Sequence, residues 1–444
     1  MERTDHFDIL ITGGTLLTLS ERMDMIENPV IGIRDGRIIL IKAGNDSLPQ
    51  HHTADETLDA AGCVILPGLV NTHTHLPMSC FRGLTDDLPL MEWLYDRIFP
   101  AEAKYVNADM VYAGARLAMA EMILSGTTTF CDGYFYESNV AKAAIDMGMR
   151  GIVSEGFLDL PTPDQPDTTR HIRTAEAFIE QWKSCSPLIT PALFCHTPYT
   201  CTADTLIALK RVAREHDVLY LSHVAETQDE TKLILERYGT TPIRYLHKLG
   251  VLDERTVIVH AVWVDEGELD LLLNTGAKVS HNPESNMKLA VGIAPVPAML
   301  RKGVTVGLGT DGCASNNDLD LFREMGTAAK LHKVAAMDPT VLDARTALRM
   351  ATIGGARVLG MEEKIGSIEP GKCADLILVN MDQPHLTPVY QTYSHLVYAA
   401  SGADVTTVII DGKVVVRDRK LLHADLADIM TQVRRIGAHI AENK

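Results

Sequence analysis

Hydrophobic and polar positions follow two different grammars along this chain. Near the start, short apolar runs at 7–12, 30–34 and 37–41 are punctuated by Gly13-Gly14 and by Asp35-Gly36, a dipeptide suited to tight hairpins. The same grammar returns at 374–379, 405–410 and 413–417, with Asp411-Gly412 between the last two. Two β-rich ends around a different middle predict one small β-sandwich domain built from both termini, 1–64 with 366–444. A helical period over 424–443 closes the chain.

The middle, 65–365, alternates strand-like and helical patterns. Apolar runs at 64–75, 126–132, 150–159, 189–196, 219–223, 256–262, 277–281 and 305–311 read as strands. Amphipathic stretches such as 104–124, 202–216, 265–274 and 319–336 lie between them. Eight such units predict an α/β fold of the (β/α)₈ TIM-barrel type, whose chemistry sits on the loops at the C-terminal ends of the strands. The rival, a doubly wound sheet binding a dinucleotide, would need a G-x-G-x-x-G opening a helix, and none is present.

Composition narrows the class further. The 444 residues are 46% hydrophobic with a formal charge of −17, which speaks against nucleic acid or an anionic membrane as partner. No window approaches the ~20 apolar residues of a membrane span. The first residues carry neither a basic stretch nor an apolar one, so no secretory signal is expected and the compartment is read as the cytosol. Eight cysteines contain no C-x-x-C pair, which removes zinc-ribbon and thioredoxin-type readings.

Candidate chemistry gathers at the strand ends. The first run closes on His73-Thr74-His75; alternate residues of a strand share a face, so both imidazoles point the same way. The fourth, fifth, sixth and seventh runs end near His196, His223, His260 and His281, and the eighth ends at Asp311. In a closed barrel these ends meet at one mouth. His73, His75, His223 and Asp311 are assigned as ligands of one zinc ion per subunit, with iron(II) as the alternative guest and one position open for water. Asp311 also accepts a hydrogen bond from that water. Glu226, three residues beyond His223, is placed on the loop as proton shuttle. His260 suits orienting the water or stabilising the tetrahedral intermediate. The fourth run holds no lysine that could carry a bridging carbamate, which favours one metal and leaves His196 free for substrate.

The segments 67–75, 223–226, 280–289, 309–317 and 366–375 resemble the amidohydrolase superfamily, and within it the 5-methylthioadenosine/S-adenosylhomocysteine deaminases. The resemblance covers nearly the whole chain. It implies zinc at the four ligands above, a catalytic Glu226, and nucleoside contacts from Glu102, His196, Glu226 and Asp311. It implies hydrolytic deamination of an adenine nucleoside, namely 5-methylthioadenosine, S-adenosylhomocysteine or adenosine, to the inosyl product and ammonia. A homo-oligomer is expected. The chain departs from the pattern after the third strand, where some members place an arginine that can pair with a homocysteine carboxylate. Here Glu155 stands nearby, with Arg170 and Arg173 as candidate substitutes, and Val291 replaces a frequent serine. The alternatives are a related hydrolase of guanine, a pterin or a triazine, and a barrel that serves as scaffold without catalysis. The small cytidine-deaminase fold is excluded, because H-x-E and P-C-x-x-C are both absent.

Overall fold

The apolar run 64–75 is two strands rather than one. In the computed structural model, which describes residues 5–44 and 52–443, Cys63–Pro67 and Leu69–Thr74 flank Gly68 and belong to different sheets. A Cβ on Gly68 would lie 2.0 Å from Thr128 Oγ1, and its N–H donates to Asp375 O at 2.9 Å. Only glycine allows the chain to step between sheets at such close approach. The parts of the terminal readings that fall on residues 1–4, 45–51 and 444 lie outside the described residues.

Eight parallel strands form the barrel: β1 (Leu69–Thr74), β2 (Thr127–Tyr134), β3 (Arg150–Phe157), β4 (Ile189–Cys195), β5 (Tyr220–Val224), β6 (Thr256–His260), β7 (Lys278–His281) and β8 (Val306–Leu308). Each pairs with the next in chain order, as right-handed βα units require. Beyond the end of β8 the chain is tied back to β1. Asp311 N donates to His73 O at 3.0 Å, Thr310 N to Asn71 Oδ1 at 3.1 Å, and Asn71 Nδ2 to Thr310 Oγ1 at 2.8 Å. Val70, Cys131, Ile152, Ala192, Leu221 and Val259 fill the interior. The alternate positions, such as Val153 and Phe157, face the helical layer.

The helices begin where their caps dictate. Thr202 and Asp265 start Ala203–His216 and Glu266–Thr275, the latter with a capping box to Glu268. The expected helix 104–124 is broken in two. Asn107 accepts from Asp109 N and Met110 N at 3.1 Å and so starts Ala108–Leu124 afresh, leaving Phe99–Tyr105 as a separate short helix over the barrel mouth. The expected strand 305–311 shortens to β8, because Asp311 takes a left-handed backbone (φ 62°) and leaves the ladder.

Both ends of the chain build the sandwich. One sheet runs in the order Arg37–Ala43, Pro29–Arg34, Asp5–Thr12 and His52–Asp59. In the other, Leu376–Asn380 lies antiparallel to Cys63–Pro67, so N- and C-terminal segments share one ladder. Ile9, Ile31 and Ile33 pack against Ile65, Leu376 and Ile409 between the sheets. Arg150, at the start of β3, fastens barrel to sandwich through Asp375 at 2.8 Å and Asp411 at 3.0 Å. The last helix, Leu426–Glu442, returns to pack on Ala108–Leu124. Among the described residues no helix is long and apolar enough to cross a membrane.

Candidate active site

The strand ends converge at the mouth of the barrel. His73 and His75 project from β1, and their Nε2 atoms lie 3.5 and 3.4 Å from Asp311 Oδ1. His223, from β5, brings its Nε2 to 3.2 Å from that of His73. Two ring nitrogens so close either share one proton or turn both lone pairs toward a common cation.

The protonation states suit a metal. His75 Nδ1 lies 2.6 Å from Gly133 O, which can only accept, so Nδ1 carries the proton and the Nε2 lone pair faces the cluster. Burial lowers His73 to a pKa of about 4, and Asp311 only partly restores it. Burial, reinforced by the neighbouring histidines, holds His223 well below its ordinary value. Burial would raise the Asp311 carboxyl, but His73, His75 and His260 outweigh it and hold the group well below the usual carboxylate range. Neutral imidazoles and an ionised carboxylate are what a divalent ion takes. Ser285 Oγ donates to Asp311 Oδ2 at 2.7 Å and Gly312 N to Oδ1 at 2.7 Å, which fix the carboxylate.

His260 comes as near as the four assigned ligands. With His73 and His223 it forms a group whose candidate ligand atoms lie within 4.8 Å of one another, as do those of His73, His75 and Asp311. Its Nδ1 is 2.9 Å from Asn286 Oδ1, so Nδ1 donates and Nε2 faces inward, 3.8 Å from Glu226 Oε2 and 4.0 Å from Asp311 Oδ2. The backbone of His260 is left-handed (φ 76°), a strained conformation that aims the ring into the mouth. His281 does not join. Its ring turns away to His332, at 3.1 Å between Nε2 atoms, because β7 is short and the next residue inward is Asn282.

Glu226 lies just beyond β5, where Ala225 (φ 56°) turns the chain inward. The turn is held by Glu230, whose carboxylate oxygens accept from Ala225 N and Glu226 N, both at 2.8 Å. Burial, with Asp311 close by, pushes the Glu226 carboxyl up to about 8. His196, beyond β4, shares a hydrogen bond with Thr200 Oγ1 through Nδ1 at 2.9 Å, and burial holds it neutral at about 3.

These groups open onto a cavity lined by His75, His196, His223, Glu226, His260 and Asp311 on its floor. Its roof comes from the segment after β1, with Leu90, Trp93, Leu94, Phe99 and Glu102. Part of that roof, Trp93–Ile98, is a π-helix, a form common at functional sites. Glu102 is buried and accepts from Tyr134 Oη at 2.7 Å. Burial lifts its carboxyl to about 7 against that bond. Tyr134, Asn286, Ser285 and Glu230 were not legible as site residues; Tyr134 falls two positions past the expected end of its strand, and the others act through backbone or ligand contacts.

The arginine candidates lie elsewhere. Glu155 points from β3 into the helical layer and accepts from Gln165 Nε2 at 3.1 Å. Arg170 and Arg173 border a separate surface hollow that includes Glu155. Val291 is buried beside Trp263, whose Nε1 donates to its carbonyl at 2.7 Å.

Residues 64–415 match the Amidohydrolase family. A 5-methylthioadenosine/S-adenosylhomocysteine deaminase from Syntrophobacter fumaroxidans is 49% identical over 433 residues, 98% of each chain. A 5′-deoxyadenosine deaminase from Methanothermobacter thermautotrophicus is 46% identical over 418 residues, covering 94% of this chain and 95% of its own. Among solved structures, a zinc-bound adenosine deaminase from Xanthomonas campestris is 36% identical with a TM-score of 0.96, over 99% of this chain and 100% of its own. The zinc complex of an atrazine chlorohydrolase from Arthrobacter aurescens is 26% identical, with a TM-score of 0.90 over 97% of this chain and 100% of its own. The chain belongs to the amidohydrolase family. Within it, the chain falls among the 5-methylthioadenosine/S-adenosylhomocysteine deaminases.

Proposed function

We propose that this protein is a metal-dependent hydrolase of cyclic amidine C–N bonds that deaminates adenine nucleosides to their inosyl products and ammonia. The observation that carries the reading is one cavity joining the His/Asp cluster and Glu226 to a buried Glu102. Full-length relatives named as deaminases of 5-methylthioadenosine, S-adenosylhomocysteine and 5′-deoxyadenosine support it.

His73, His75, His223 and Asp311 are the residues proposed to hold one divalent ion per subunit, zinc before iron(II). Bound there, such an ion would supply a water molecule whose pKa is lowered toward neutrality. Asp311, beside His260, accepts a proton from the water that attacks the purine's sixth carbon. Glu226, protonated at neutral pH by its burial, donates to the ring nitrogen next to that carbon. His260, with Nε2 directed inward, accepts a hydrogen bond from the attacking hydroxyl and orients it. The proton taken up by Asp311 passes to the amino group, which leaves as ammonia, while the remaining hydroxyl proton returns to Glu226 as the carbonyl forms. Glu102, its Oε1 engaged by Tyr134, accepts from the ribose hydroxyls, and neutral His196 meets the nucleoside.

The proposal includes a division into 1–64 with 366–444 and 65–365, a homo-oligomeric, cytosolic enzyme, and no nucleic-acid or membrane partner. The deciding experiment follows ammonia release from 5-methylthioadenosine, S-adenosylhomocysteine, adenosine and guanine, and chloride release from a chlorinated triazine. Turnover confined to guanine or the triazine would replace this reading, and no turnover of any would favour a scaffold.

A further inference from the structure

The turn that carries Glu226 is held through both kinds of backbone group. Ala225 O accepts from Val262 N at 3.0 Å and from Trp263 N at 2.8 Å, which ties the turn to the segment after His260. The N–H groups of Ala225 and Glu226 are taken by Glu230, one on each carboxylate oxygen, both at 2.8 Å. Glu230 is 3% exposed, and burial lifts its carboxyl to about 7 against those two bonds. Among the described residues no lysine or arginine forms an ion pair with it.

The place of Glu230 in its helix suits a different bond. Thr227 caps Gln228–Tyr238 by accepting from Glu230 N at 3.0 Å, so Glu230 is the third residue of that helix. A glutamate there ordinarily reaches back to the N–H of the cap residue itself and closes a capping box. Glu268 does so in this chain, taking Asp265 N at 2.9 Å, and it has Arg244 at 3.4 Å as ion-pair partner. Glu230 passes over its cap residue to the two residues before it. Burying an acid without such a partner costs stability. What the diverted bonds fix is the left-handed backbone of Ala225 (φ 56°), which brings Glu226 Oε2 to 3.8 Å from His260 Nε2.

We propose that Glu230 is a positioning residue for deamination, which sets turnover by holding the Glu226 carboxyl in line with the ring nitrogen it protonates. The inference rests on the deaminase reading above and adds a residue to its machinery. Glu230 is not among the residues lining the cavity, so it acts through Glu226. Glutamine at this position keeps the shape but turns an amide NH₂ toward a backbone N–H, donor against donor. The turn relaxes, and a shift of about 1 Å in a reacting group is worth up to about 100-fold in rate. Substrate grip through Glu102 and His196 is left in place.

The test is a double-mutant cycle on the metal-replete enzyme: parent, Glu230→Gln, Glu226→Gln and the two combined. Each protein is measured for metal content and for kcat and KM of ammonia release from 5-methylthioadenosine. Glu230→Gln should lower kcat about tenfold or more, move KM by less than about threefold, and keep the metal. In the Glu226→Gln background the same substitution should cost less than about twofold, because the carboxyl it positions is already gone. A merely structural role gives equal losses in both backgrounds. That result, or a Glu230→Gln kcat within about twofold of the parent, would overturn the inference and leave the deaminase reading standing. Should Glu230→Gln fail to fold, Glu230→Asp, one methylene shorter, runs the same cycle with the same outcomes. A parent that releases no ammonia would overturn the deaminase reading and the inference together.

Discussion

Tyr134 Oη donates to Glu102 Oε1 at 2.7 Å, joining the end of β2 to the short helix that roofs the cavity. Both groups are buried, so the bond holds a carboxylate in a place where burial opposes its charge. It occupies one carboxylate oxygen and leaves the other for a ligand.

That arrangement predicts how the sugar is sensed. Glu102→Ala should weaken ribonucleosides by ~1.5–3 kcal/mol, the range for hydrogen bonds to a charged group. A 2′-deoxynucleoside should already be poor with the parent protein and lose less. Steady-state kinetics of both substrates on both proteins decide the matter. Equal penalties would remove Glu102 from the site.

The same carboxyl predicts a pH dependence. Its folded pKa of about 7 lies above the ordinary 4.5, because burial disfavours the charge. The stability it contributes is therefore fully present below the unfolded value and is lost as pH rises through about 7. Glu102→Gln should gain on the parent in thermal unfolding between pH 5 and 8, by no more than about 3 kcal/mol. Only the ionised group accepts from both ribose hydroxyls. The ratio of kcat/KM for ribo- over 2′-deoxyribonucleoside should thus rise across this window in the parent and stay flat in the variant.

Glu226→Gln keeps shape but removes the proton. Metal content should be unchanged while turnover falls ~10²-fold or more. Near-normal turnover would return Glu226 to a bystander at the pocket wall.

His223→Ala removes one of the converging imidazoles and should lose metal and activity together. Elemental analysis of the parent should find one divalent ion per chain. Two tightly held ions, or full activity after exhaustive chelation, would refute the assigned ligand set.

Arg150 predicts a purely structural effect. Its guanidinium is 3% exposed and paired with Asp375. Asp375→Ala removes the buried, two-point partner and leaves Arg150 only the half-buried Asp411, so it should cost up to ~3–5 kcal/mol in unfolding experiments. KM of the folded fraction should not move, because the pair lies at the opposite end of β3 from the cavity.

Much of this was legible from local pattern. Strand and helix periods and the Asp-Gly turns are short-range properties, and they predicted a barrel flanked by a sandwich from both termini. The convergence of His73, His75, His223 and Asp311 was also readable, since residues at the C-terminal ends of barrel strands must share one mouth. Other features depended on contacts that periodicity does not encode. The break at Gly68 comes from Thr128, distant in sequence, occupying the space of a Cβ. The break before Ala108 comes from the side chain of Asn107 and moves Glu102 onto a roof of its own. His281 and His260 end neighbouring strands with similar sequences. A left-handed backbone and Asn286 turn His260 into the mouth, whereas His281 is turned outward to His332. The sequence alone determined which side chains stand at the strand ends, because alternation and strand order are local. Tertiary structure decided which of them face one another and what charge surrounds them, because burial and through-space pairing exist only once the barrel has closed.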